Sequence, residues 1–200
     1  MVSGSQGEFG SVVPVRPIGW RVDGRCPWGH DLGIGGCTTT YSHLYALHES
    51  FCEACSVAGR RGAWAEVDVG REQQFTSETA PHNGLVLVAV PPAQLAGLGR
   101  IEIRLGRTVL GDIDLCLCRV EQRAVLEQVR VDEQYRRHGF GTVLVAAAHA
   151  RAPRYQWSTT VVRGEQARAF WAAVSPPFPL GEPHWCTHMH IAAGRTPDGQ

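Results

Sequence analysis

Lysine is missing from this chain: all 19 basic residues are arginine, and 19 acidic residues bring the formal charge to zero. A balanced chain projects no global field toward nucleic acid or an anionic membrane, so neither is an expected partner. Nor is there any run of 18 or more apolar residues, and the opening Met1-Val2-Ser3-Gly4 has neither the basic stretch nor the apolar segment of a signal peptide. A cytoplasmic location is therefore expected. In that reducing setting the seven cysteines do not read as a disulfide framework, and their spacing is weighed for metal binding or burial. Without lysine, G-x-x-x-x-G-K-[ST] cannot occur, which removes one common nucleotide loop. What remains is 200 residues, 44% hydrophobic and 19% charged, enough for one ordinary globular domain and a small one.

Residues 1–20, rich in Gly, Ser and Val with Pro14 and Pro17, read as a partly ordered lead-in. Residues 21–70 then hold Cys26-Pro27-Trp28-Gly29-His30 and Cys52-Glu53-Ala54-Cys55, a C-x3-H and a C-x2-C separated by 21 residues. Four soft or borderline ligands suit a tetrahedral zinc ion, each pair gripping it from one turn. The expected ligands are Cys26, His30, Cys52 and Cys55, with Cys37 or His48 as substitutes for His30. The segment resembles a zinc ribbon or treble-clef knuckle; closed by four protein ligands, its zinc would be structural. The competing reading is buried free thiols in a loop-rich extension.

A polar stretch over 70–83 reads as a linker. Beyond it the pattern turns to strands: Leu85–Val90, Ile101–Leu105, Val109–Cys118 and Val125–Val131 form an antiparallel meander joined by turn signals such as Gly106-Arg107. Arg136-Arg137-His138-Gly139-Phe140-Gly141-Thr142 follows, running into an Ala-rich stretch free of glycine and proline, Val143–Ala150, which reads as a helix. A glycine-rich turn between strand and helix gathers backbone N–H groups and the helix dipole at one place, and that place suits a phosphate. A strand over 155–162, a helix over 165–174 and a last strand around 185–191 complete the reading.

The spacing Arg136-x-x-Gly139-x-Gly141, after a strand ending Val129-Arg130-Val131, resembles the acyl-CoA pyrophosphate loop of the GNAT N-acetyltransferase superfamily. The run Gly164-Glu165-Gln166-Ala167-Arg168-Ala169-Phe170-Trp171 resembles the segment that continues that family's cofactor cleft, and together the likeness covers about residues 85–192 of an expected domain over 84–195. It implies an α/β (α+β) fold, a mixed, mostly antiparallel sheet with flanking helices, and the small zinc-binding module read from the cysteines would precede it. It also implies an acyl-CoA-dependent N-acyltransferase, with acetyl-CoA as donor and an amine on a small molecule or protein as acceptor. Arg136, Arg137, His138, Gly139, Phe140, Gly141 and Thr142 would hold the diphosphate, while Val129 and Val131 would offer backbone groups to the pantetheine arm.

Such a reaction needs a base for the amine proton and an acid for the departing thiolate. Glu127, placed by a period of two on the face of Val125 and Val129, is the first choice for base; Asp112 and Asp114 are alternatives, and pairing of Glu127 with Arg119 or Arg123 is the structural reading. The sequence departs from the family pattern at Gly164, where asparagine is usual, and at Trp171, where a tyrosine often serves as acid. Cys186, His184 or His188 could take that role, and Cys186, His188 and His190 would share one face of the last strand. Only ten residues, Pro91–Arg100, separate the first two strands, so the helices that often cover the acceptor are expected to be missing, with the zinc module as the acceptor wall. A second reading is a non-catalytic CoA-binding domain of this type joined to a zinc-ribbon adaptor for protein or nucleic acid. The lysine deficit has a plain source in a GC-rich genome and a sharper one in avoidance of self-acylation.

Overall fold

A computed structural model describes residues 12–19, 24–70 and 73–195. The expected lead-in falls mostly outside the described residues, but Val15–Pro17 forms strand β1. The N-terminal part continues with helix α1 (Leu32–Gly35), β2 (Cys37–Ser42), β3 (Leu47–Cys52), α2 (Glu53–Val57) and β4 (Ala63–Val67). These strands make a four-stranded sheet in the order β1-β4-β3-β2, with β1 parallel to β4 and the rest antiparallel.

The stretch read as a linker instead contributes β5 (Gln74–Phe75), which pairs parallel to β6 at the edge of a second sheet. A polar residue can sit there because the buried Gln74 amide donates to the Val69 and Ala147 carbonyls, satisfying both N–H groups. The meander follows as β6 (Leu85–Val90), β7 (Ala96–Leu105), β8 (Thr108–Cys118) and β9 (Arg123–Val131). Pro91-Pro92 ends β6, and only Pro91–Leu95 links it to β7, so no helix intervenes, as the short spacing predicts. After β9 come α3 (Phe140–Arg151), β10 (Gln156–Thr159), α4 (Glu165–Val174) and α5 (Thr187–Ala192). The six-stranded sheet has the order β10-β9-β8-β7-β6-β5, with β10 parallel to β9. The fold is thus the expected mixed, mostly antiparallel sheet with flanking helices.

Helix α3 explains how the two sheets come together. Residues Val143-Leu144-Val145-Ala146-Ala147-Ala148 are all buried, leaving no polar face, and a helix apolar all round must be covered on every side. One side is covered by Ile101, Ile103, Ile113, Leu115 and Leu126 of the large sheet, and Val13, Val15, Ala63, Ala65 and Val67 of the small sheet join the same hydrophobic core.

The expected last strand around 185–191 is a helix, α5. Its buried residues explain why: Cys186 and Met189 are three apart, the spacing of one helical turn, and both enter an apolar patch of Ala96, Cys116, Cys118 and Val125. The chain reaches that patch around the β10 edge. Phe178 stacks on Trp157 and His149, then the Gly181 N–H donates to Thr159 Oγ1 and the His184 N–H to Ser158 Oγ.

Candidate functional site

The glycine-rich loop leaves β9 through a short 3-10 turn, Glu133–Tyr135, whose Tyr135 side chain is buried edge-on to Phe140. Arg137 and Gly139 both adopt left-handed backbone, φ 63° and 87°, so the chain bends twice before α3 starts. The first helical hydrogen bond runs from the Val143 N–H to the Gly139 carbonyl, so the N–H groups of Phe140, Gly141 and Thr142 lie ahead of the ladder at the positive end of the helix dipole. Arg136 and Arg137 are exposed beside them; Arg136 Nε donates to the Val131 carbonyl at 3.2 Å, and the His138 ring lies 2.9 Å from the Arg136 carbonyl.

The two glycines have structural duties that spacing alone does not reveal. A Cβ on Gly139 would stand 1.9 Å from the Val15 carbonyl oxygen, because β1 lies against the loop and the Val15 N–H donates to the His138 carbonyl at 2.7 Å. A Cβ on Gly141 would stand 2.7 Å from the ring of Phe170, which brings α4 against the start of α3. Phe170 and Trp171 pack edge to face and both contact the main core, as expected of an amphipathic helix.

Beside the loop the sheet opens. Strands β9 and β10 pair only from Arg123 to Leu126, and Thr160 then closes the pairing, its N–H donating to the Leu126 carbonyl and its hydroxyl to the Glu127 carbonyl. Beyond that point Val129 and Val131 continue with β8 on one side only. The split coincides with a β-bulge: Leu115 faces Leu126 and Asp114 faces Gln128, so Glu127 is the extra residue. The bulge breaks the period of two on which the expected face rested. Val125 belongs to the patch under α5, whereas Val129 and Val131 pack toward the main core on the opposite face.

Glu127 is half-buried, and burial, then the negative charge of Asp114, raise its proton affinity above that of an ordinary glutamate, with Arg195 opposing. Among the described residues no arginine lies within ion-pairing distance of it; Arg123, one expected partner, instead pairs with Glu121 at 3.4 Å. Asp114 is different: it accepts from Arg100 Nε at 2.8 Å and Arg130 Nη2 at 2.6 Å, and Arg130 also binds Asp112. Burial pushes the Asp114 carboxyl up, but these two guanidinium groups outweigh it and hold it below the usual range. Asp114 is thus held as an ion in a network that also ties in Asp112 through Arg130, which sequence spacing did not single out. Cys186 is buried beneath α5 and His188 pairs with Glu121, both at the Arg123 end of β9, roughly 25 Å of strand from the loop end. Neither lies beside the glycine loop, and the expected shared face of Cys186, His188 and His190 gives way to a helix.

The small sheet carries a second constellation. Cys26, His30, Cys52 and Cys55 place their ligand atoms within 4.8 Å of one another. The Cys26 and Cys55 sulfurs are 3.8 Å apart, and His30 Nδ1 lies 3.6, 3.1 and 3.7 Å from the sulfurs of Cys26, Cys55 and Cys52. Thiolates about 2.3 Å from a tetrahedral zinc would sit about 3.8 Å apart, so the group fits a closed four-ligand metal site. The His30 N–H donates to Cys26 Sγ at 3.3 Å; burial raises the Cys26 thiol, but this bond, one from Trp28 and the neighbouring thiols together lower it. Burial and the same neighbours push Cys55 up to about 12. Trp64 is fully buried against the cluster, and Arg16 caps its ring at 4.7 Å while pairing with Glu66 at 3.0 Å. Neither alternative fourth ligand joins: Cys37 is exposed, and His48 packs on the Tyr41 ring.

The model of the Acetyltransferase (GNAT) family matches residues 44–174, well over half of the chain, spanning the open sheet, the glycine loop and α4. The chain belongs to the GNAT acetyltransferase family. No curated protein matches it significantly. Membership supports an acetyltransferase-type function in general terms, and the match begins within the small sheet, in keeping with the core the two sheets share. Among the described residues no helix is long and apolar enough to cross a membrane.

Proposed function

We propose that this GNAT protein is an N-acetyltransferase that moves the acetyl group of acetyl-CoA to an amine, with residues 84–195 as the acyltransferase domain and residues 21–70 as a zinc-ribbon-like module. The observation carrying the proposal is the opening of β9 from β10 beyond Leu126, directly beside the glycine loop. An extended pantetheine arm can pair with the backbone of Val129 and Val131 along the open edge. The diphosphate then meets the N–H groups from Gly139 to Thr142, with Arg136, Arg137 and His138 contributing positive charge or donors.

In the reaction the amine nitrogen attacks the thioester carbonyl carbon; an N–C bond forms as the C–S bond breaks. Glu127 takes the amine proton, directly or through water, a role its raised proton affinity suits. The departing CoA thiolate takes a proton from solvent, because the Trp171 indole, at the usual tyrosine position, is no acid near neutral pH. The amine acceptor approaches from the face carrying Asp112 and Asp114. The N-terminal module packs on the α3 side, opposite that face, and therefore does not form the acceptor wall. Its Cys3His group is proposed to hold a structural zinc that folds a segment with little core of its own.

Calorimetric titration with acetyl-CoA, followed by CoA release across a panel of amines, tests this reading. Binding should weaken at least tenfold in Arg136→Ala, while Glu127→Gln should keep binding and lose about 100-fold or more in kcat. Binding without turnover of any amine would favour a CoA-binding adaptor; no binding by folded, metal-replete protein would overturn the proposal.

A further inference from the structure

Across the sheet from α3 a second group of soft ligands gathers, built from segments far apart in sequence. Cys118 ends β8, Cys186 immediately precedes α5 and His188 lies in its first turn; their two sulfurs and a ring nitrogen lie within 4.8 Å of one another. Both cysteines are buried, at 0% and 4% exposure, whereas the His188 side chain, 44% exposed, stands at the mouth. The Glu121 N–H donates to Cys118 Sγ at 3.4 Å, the same kind of N–H to sulfur contact that His30 makes with Cys26 in the first cluster. The Glu121 carboxylate lies 3.2 Å from His188 Nδ1, leaving the other ring nitrogen for a ligand. A carboxylate in that position fixes the tautomer and orientation of a metal-binding histidine.

We propose that Cys118, Cys186 and His188 form a second metal site, independent of the first, for a borderline divalent cation such as zinc, with Glu121 as the positioning residue for His188. Two thiolates and an imidazole match zinc in softness, and a fourth position is left for water. Its work is to tie down α5. That helix has only six residues, too few to be stable alone, and Met189 is its one buried residue; yet it covers the patch of Ala96, Cys116 and Val125. A metal bond to β8 turns a weakly held segment into a strap over one end of the sheet.

The test is metal content of the full chain purified without chelator, compared between wild type and His188→Ala. Because that side chain stands at the surface and packs in neither the main core nor the apolar patch, the variant should fold, and it should carry one equivalent of zinc less than wild type whatever the first cluster holds. Glu121→Gln should keep the stoichiometry but lower affinity at this site by 10- to 100-fold in chelator competition. Cobalt loading supplies a second readout: thiolate-bound tetrahedral cobalt should give a visible spectrum that changes in His188→Ala. Equal zinc content in wild type and His188→Ala would overturn the proposal, as would a Cys118–Cys186 disulfide in freshly purified protein.

Discussion

The two faces of the six-stranded sheet are built on opposite terms. On one, Ile101, Ile103, Ile113, Leu115 and Leu126 are all at most 2% exposed beneath α3, with the small sheet beyond it. On the other, Arg100, Glu102, Asp112, Asp114 and Arg130 form ion pairs, and α5 covers only one end. Burial of apolar surface is the main source of stability, so the first face does most of the holding. The second can afford charges, and the Glu127 bulge lies where the partners of β9 change. A chain arranged this way should lose its fold when the covered face is disturbed and lose chemistry, with less stability, when the open face is.

The largest effect should follow from breaking the cover at its far end. Replacing Cys52 and Cys55 together by serine removes two of the four residues proposed to hold the metal, and with them the tie between the Cys26–His30 turn and the β3–α2 junction. Structural zinc is worth an apparent ~10–16 kcal/mol in zinc-finger peptides, comparable with the whole stability of a domain. The apolar outer side of α3 would then meet water. Hydrogen exchange should show Val143–Ala148 losing protection along with β1–β4; full protection of α3 in that variant would mean that the large sheet holds the helix without help.

Much of this architecture can be read from sequence, for identifiable reasons. The meander and α4 are local patterns, alternation for strands and an amphipathic period for the helix, and both appear where the pattern puts them. The four residues that could hold a metal, Cys26, His30, Cys52 and Cys55, come in two pairs whose short spacing is itself the signal. The misread parts depend on distant partners. Gln74 looks like linker until the Ala147 carbonyl receives its amide, and Cys118 shows no tie to Cys186 until the chain turns the β10 edge. A bulge is invisible to a period of two, which puts Val129 on the face of Val125, whereas the two side chains lie on opposite faces. The apolar run Val143–Ala148 of α3 is itself a sequence signal for the second sheet, since such a helix needs cover on two sides and one sheet supplies only one.

Gly139 sharpens the contrast between cover and site, because it belongs to both. Gly139→Ala adds a Cβ 1.9 Å from the Val15 carbonyl at a φ of 87°, and backbone on both sides leaves the clash no easy relief. Gly164 has a similar φ of 83° but nothing within 4 Å of its would-be Cβ. Gly164→Ala should therefore cost only the backbone strain of that φ with a ψ of 157°, about 2–3 kcal/mol, and Gly139→Ala, where the clash adds to the strain, about 4 kcal/mol or more. Denaturant midpoints measure the difference. Equal losses would show that β1 does not press on the loop, and the cover would then end short of the site.

The smallest effects should come from the open face, and their pH dependence separates its two carboxylates. Asp114→Asn gives up charged bonds to Arg100 and Arg130, at about 2 kcal/mol near neutral pH, a modest loss because Arg100 and Arg130 are partly exposed and can rehydrate. Its native proton affinity is lowered, so the wild-type advantage is full above the ordinary aspartate value of about 3.9 and is lost as pH falls through the lower native value. Glu127 has the opposite sign: its affinity is raised, so whatever the protonated form contributes is present at low pH and lost as pH rises through the native value. At neutral pH Glu127→Gln should be as stable as wild type or slightly more so. Urea midpoints for both variants at pH 7 and at the lowest pH where the chain stays folded measure this. An Asp114→Asn loss that does not shrink with acid would show that the aspartate holds the sheet by packing rather than by charge.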